Sequence, residues 1–102
     1  MELKLDPEKY EQHQDIFIEE IIKAIMVKLV ESGLEGREMR ELTMGIAFSI
    51  ASIIDDTSKI EANEESVQPY LVFQSKNNEL IHCGENSYTH ELIFDACKKI
   101  FE

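Results

Sequence analysis

Apolar residues first settle into a helical rhythm after Asp6-Pro7. Asp is a good N-cap because its carboxylate accepts a first-turn N–H. Pro fits the first helical position, and Glu8 follows in the first turn. Tyr10, Phe17, Ile18, Ile21, Ile22, Ala24, Ile25, Met26, Leu29 and Val30 then keep helical spacing. This predicts a helix running to about Ser32, where Gly33 stops it. From Ile16 onward the stripe is unusually wide, because Ile16 and Val27 lie off the main face.

Gly33-Leu34-Glu35-Gly36 reads as a short turn. From Arg37 to Asp55 the only breaker is Gly45, and Met39, Leu42, Ile46, Ile50, Ile53 and Ile54 mark a second helix. Small residues sit between them: Gly45, Ala47, Ser49, Ala51 and Ser52. They allow close approach of another backbone, and the short connection makes the two helices antiparallel neighbours. Residues 55–66, DDTSKIEANEES, read as a polar acidic surface linker.

Val67 to Gln74 is rich in β-formers, and Leu80 to Cys83 is a second short apolar run. Asn77-Asn78 between them tolerates the left-handed backbone of a tight turn, so the pair reads as an antiparallel hairpin. Pro69 puts its strand near an edge, or puts the strand's start just after it. Gly84 ends the hairpin, and Asn86 or Ser87 is the expected cap of a last helix. There Tyr88, Leu92, Ile93, Ala96, Cys97, Ile100 and Phe101 form the apolar stripe. His90, Glu91, Asp95, Lys98 and Lys99 take the other face. The fold class is α+β, one domain over residues 1–102, in the order helix–helix–β-hairpin–helix. An isolated hairpin is marginal in water, so it must pack on the helices or extend its sheet with a second chain.

Composition sharpens this picture. At 102 residues and 43% hydrophobic, the chain has material for one core. Ten Lys and Arg against 21 Asp and Glu give a net charge of −11. Such a chain is repelled by free nucleic acid and by anionic membranes. The excess serves solubility, or it recognises a basic protein partner. The two cysteines build no disulfide framework, the first twenty residues lack a signal-peptide pattern, and the longest uncharged run, Leu42 to Ile54, is too short for a membrane span. The expected location is cytoplasmic, with thiols reduced.

No nucleotide-binding, zinc-protease or hydrolase motif is present. The densest cluster of reactive types is His82-Cys83-Gly84-Glu85-Asn86-Ser87-Tyr88-Thr89-His90-Glu91. It lies where a strand ends and a helix begins. His82, Cys83, His90 and Glu91 offer N, S and O donors of the kind zinc takes, and a helix N-terminus lowers a nearby thiol's pKa. Against a metal site, His82 and Cys83 are strand neighbours and point to opposite faces. Asp55-Asp56 reads as a polar helix stop. Glu38 and Glu41 lie beside Arg37 and Arg40, so ion pairs account for them. Cys97, on an apolar stripe, reads as a small core hydrophobe.

Two functions compete, ahead of small-molecule binding in a pocket between the hairpin and the helices. The first is a non-catalytic interaction domain, an adaptor or regulator acting as a homo-oligomer, with no cofactor. The wide stripe of helix one and the small residues of helix two put its interface at Ile18, Ile22, Met26, Val30, Gly45, Ser49 and Ser52, in a homodimer. The second is a metal-binding or thiol-dependent enzyme using the His82–Glu91 junction.

Overall fold

The computed structural model describes residues 1–102. Its elements are β1 (Glu2–Leu5), α1 (Pro7–Glu31), α2 (Gly36–Ile54), β2 (Glu61–Ala62), β3 (Glu65–Ser66), β4 (Phe73–Gln74), β5 (Glu79–His82) and α3 (Thr89–Phe101). The α+β class and the order of helices and hairpin follow the sequence pattern.

Both long helices begin and end for local reasons. The Asp6 carboxylate accepts from Lys9 N–H at 3.1 Å, and Pro7 follows. At the far end of α1, Gly33 lies in the left-handed region, with φ 98°. Gly33 N–H donates to Val30 C=O at 3.0 Å, and Leu34 N–H to Leu29 C=O at 3.1 Å. This is a Schellman cap, and it satisfies carbonyls the helix would otherwise leave free. Helix α2 ends the same way: Asp56 N–H donates to Ile53 C=O and Thr57 N–H to Ser52 C=O. Here the left-handed position is held by Asp56, at φ 61°, instead of glycine.

The three helices pack on one another around a core of Ile18, Ile22, Ala47, Ala51, Ile93 and Cys97. The smallest side chains of that core, Ala47 and Ala51, belong to α2, so α2 approaches α1 and α3 closely through them. Ile21, Ile25, Met44, Ala96, Ile100 and Phe101 close the rim.

A three-stranded sheet, ordered β1-β5-β4, lies beside the bundle. The expected hairpin is β4 and β5, antiparallel, with Phe73 opposite Ile81. Asn78 takes the left-handed turn position, at φ 60°. Strand β4 is only two residues, so most of Val67–Leu71 runs without ladder partners. Phe73 packs on α1 through Tyr10, His13 and Phe17, with ring centroids 5.2, 5.4 and 5.8 Å away. Edge and tilted contacts of this kind suit the ring quadrupoles.

Strand β1 is not foreseen by the sequence reading. Its four residues alternate, but four residues at a terminus are too few to distinguish a strand from chance. It pairs in parallel with β5, Leu3 opposite Leu80 and Leu5 opposite His82. Asp6 N–H extends the ladder to His82 C=O at 3.0 Å. The start of α1 and the end of β5 are thereby fixed side by side. The 55–66 segment also differs in part: residues 61–66 form a small hairpin, β2 with β3, turned by Asn63 and Glu64 at positive φ.

Candidate functional site

The most constrained polar group in the molecule is the carboxylate of Asp55, the C-cap of α2, which is fully enclosed. Its Oδ1 accepts from the Ser87 hydroxyl and from Thr89 Oγ1, the latter at 2.8 Å. Its Oδ2 accepts from His90 N–H at 2.7 Å and contacts His90 Nδ1. Asn86 Nδ2 donates to the Asp55 backbone carbonyl at 3.2 Å. One residue at the end of α2 therefore binds the whole start of α3.

The chemistry explains the placement. Helix α3 begins at Thr89, and its N-cap, Tyr88, contributes no side-chain cap. Its free first-turn N–H groups and the positive end of its dipole favour a carboxylate. Asp55 supplies one from another element. Burial by itself would raise the Asp55 pKa, but the hydrogen bonds from Ser87, His90 and Thr89 outweigh it and hold the carboxyl below its ordinary range. The expected caps behave differently: Ser87 donates its hydroxyl to the Asp55 carboxylate, and Asn86 donates its side-chain amide to the Asp55 backbone carbonyl.

A second buried polar pair adjoins this one. Gln14, fully buried on α1, accepts from Tyr88 N–H through Oε1 at 2.9 Å, while its Nε2 finds no protein acceptor. Tyr10 donates its hydroxyl to Leu71 C=O at 2.6 Å, and burial pushes its phenol pKa up. Tyr10, Gln14 and Asp55 thus add polar contacts to the apolar packing that fixes the 71–90 stretch to α1 and α2.

The sequence-derived cluster does not converge. His82 Nδ1 accepts from Gly84 N–H at 3.2 Å, and Cys83 Sγ lies 3.3 Å from Glu85 C=O. Both are contacts within their own loop, and neither residue bonds to His90. Glu91 is exposed on α3. His90 joins Asp55, a residue the sequence reading treats as a polar stop. No group of three or more His, Cys, Asp or Glu residues is arranged to hold a metal ion.

The Asp55–His90 pair is the one arrangement with catalytic form. A carboxylate on Nδ1 orients the imidazole and leaves Nε2 as its free nitrogen, as in a general base. The His90 side chain is 25% exposed and lies edge-on to Phe48, with centroids 6.1 Å apart. The hydroxyls of Ser87 and Thr89 both donate to Asp55. The pair caps α3 and clamps it to the end of α2.

The expected interface divides. Ile18 and Ile22 are completely buried within the chain, against α2 and α3, so neither is available to a partner. Met26 and Ser52 are half-buried, while Val30, Gly45 and Ser49 are exposed. What the earlier residues leave out is the rest of the α2 outer side: Leu42, Ile46, Ile50 and Ile53 are 36–49% exposed. The sequence pattern marks these residues as one apolar face of the helix, and apolar residues at helical spacing ordinarily face inward. In the structure Thr43, Ala47 and Ala51 face inward instead. No helix is long and apolar enough to cross a membrane. Comparisons with protein-family models, with curated proteins and with solved structures find no match.

Proposed function

We propose that this protein is a non-catalytic interaction domain, an adaptor or regulator, that works as a homodimer through the outer face of α2. The observation that carries this is the apolar character of α2 on both sides. A helix that is apolar all round belongs in an interior. The chain covers only the side bearing Thr43, Ala47 and Ala51.

The exposed strip supports a second copy as the occupant, because it complements itself. Leu42, Gly45, Ile46, Ser49, Ile50 and Ile53 follow one another at intervals of three, one, three, one and three. That spacing reads the same from either end. A twofold axis at its midpoint pairs two α2 helices antiparallel. It sets Gly45 against Ile50, Ser49 against Ile46, and Leu42 against Ile53. Each small residue receives a branched one. A side chain added at Gly45 would meet nothing within 4 Å inside the chain, so the space above it is open. Such an isologous contact closes as a dimer and does not propagate.

Magnitudes set the expected strength. Fully burying an Ile or Leu contributes about 1.5–3 kcal/mol. Four half-exposed side chains on each of two chains therefore supply on the order of 6–12 kcal/mol gross. Association itself costs about 4–15 kcal/mol. The most favourable combination leaves about 8 kcal/mol, a Kd of about 1 μM, so the dimer is concentration-dependent and at its tightest micromolar rather than obligate. Its acidic remainder suits a basic protein as onward partner.

Light scattering across a micromolar concentration series tests this reading. The expected mass rises from 11.8 kDa toward twice that value. Ile46→Glu should hold it at the monomer value without loss of helix, since Ile46 is outside the core. A wild-type mass fixed at 11.8 kDa throughout would refute the proposal.

A further inference from the structure

We propose that the depression between the N-terminal turns of α2 and the C-terminal half of α3 binds a small amphipathic carboxylate, a fatty or aryl acid. It is an open depression of about 350 Å³, floored by Met44 and Phe101, with Phe94 at its side and the Cys97 thiol buried beneath. Its size falls at the lower end of the range for small-ligand sites, roughly 300–1,000 Å³.

Charge indicates the kind of ligand. The chain carries −11 overall and has only two arginines. Both of them, Arg37 and Arg40, line this one depression, and Lys98 joins them from α3. Arg37 is spent on Glu41, at 2.8 Å. Arg40 and Lys98 have no acidic partner within ion-pairing distance, and Glu102 is the remaining acid of the lining. Two free cations over an apolar floor, in a molecule otherwise strongly negative, match an anionic head on an apolar body. The guanidinium of Arg40 offers the planar fork that suits a carboxylate.

Phe94 supplies a further mark. It sits among the charged residues of α3, Asp95 on one side and Lys98 one turn on, and is 63% exposed. Most of its surface is left uncovered by the fold. A ligand lying along the groove would cover it. The site is separate from the homodimer strip: Met44 lies two residues beyond Leu42, about 200° round the helix. Either proposal can therefore fail alone.

The test is calorimetric titration of the full chain with three probes of equal chain length: decanoate, decanol and decyltrimethylammonium. Decanoate should bind one per chain, with decanol weaker by about tenfold or more and the ammonium showing no saturable heat. The double variant Arg40→Gln, Lys98→Gln should weaken decanoate by about tenfold while leaving decanol unchanged. Phe94→Gln should weaken both. All three positions are exposed, so melting temperatures should stay near that of the parent chain. Equal binding of the three probes, no binding of decanoate, or undiminished decanoate binding by the double variant would each overturn the proposal.

Discussion

Asp56 occupies the left-handed region that glycine adopts without steric cost, and it does so at a helix end whose two capping hydrogen bonds are otherwise complete. No side-chain hydrogen bond or ion pair of Asp56 offsets the strain. Asp56→Gly should therefore stabilise the protein by up to about 1 kcal/mol, read from chemical denaturation at constant m-value. A destabilised variant would mean that the side chain is held by contacts other than these. The two thiols make a second comparison. Cys97 is fully buried, and burial pushes its pKa up. Cys83 is half-buried at the strand end. Under native conditions Cys83 should label faster with a maleimide. Faster labelling of Cys97 would show that the α2–α3 contact opens readily. The burial of Cys97 is legible from its place on the α3 stripe. The strain at Asp56 is not, because nothing in Asp55-Asp56 reveals which residue ends the helix and which follows it.

The start of α3 depends on a residue 34 or 35 positions earlier in the chain. Asp55→Ala should cost about 3 kcal/mol or more, since it removes both acceptor oxygens from four contacts in a closed site. Amide exchange should report the loss first in the opening turn of α3. Asp55→Asn should retain part of the stability, because it keeps one acceptor oxygen. The pH dependence has a definite sign. The folded-state pKa of Asp55 lies below 3.8, so its contribution is complete above that value and is lost as pH falls through the folded pKa. Thermal melts from pH 6 to pH 2 should show the parent losing more stability than Asp55→Ala. Parallel curves would remove Asp55 from the acid response. The helix spans themselves are readable from periodicity, Asp6-Pro7 and Gly33. The cap of α3 is not, because a tertiary cap has no sequence spacing to betray it. Strand β1 is hidden for a related reason: its partner β5 is remote, and its own pattern is four residues long.

As a whole the molecule is a slab, 45 × 37 × 20 Å, with a radius of gyration of 15.3 Å. A compact chain of this length would have a radius nearer 13 Å. The difference reflects α1, 25 residues and so about 38 Å long, beside a layer too thin to cover both sides of α2. Thirteen residues are buried, a small core for 102. If α2 pairs across a twofold, the melting temperature should rise with protein concentration between about 1 and 100 μM, because the partner binds only the folded state. The rise should vanish in Ile46→Glu. A parent melting temperature independent of concentration would speak for a stable monomer.

What the sequence determines by itself is local. Helix starts and stops, the β4–β5 turn at Asn77-Asn78 and the buried stripe of α3 are encoded within a few residues of where they act. Spacing and capping chemistry operate over that range. What only the tertiary structure decides is which side of α2 faces inward. Leu42, Ile46, Ile50 and Ile53 carry the stronger apolar pattern, yet Ala47 and Ala51 lie in the core. Close packing of three helices needs small side chains where backbones approach, and that need is a property of the neighbours. The same holds for Asp55. Its carboxylate is a helix stop in one dimension and the cap of another helix in three, because hydrogen bonds follow distance in space rather than along the chain.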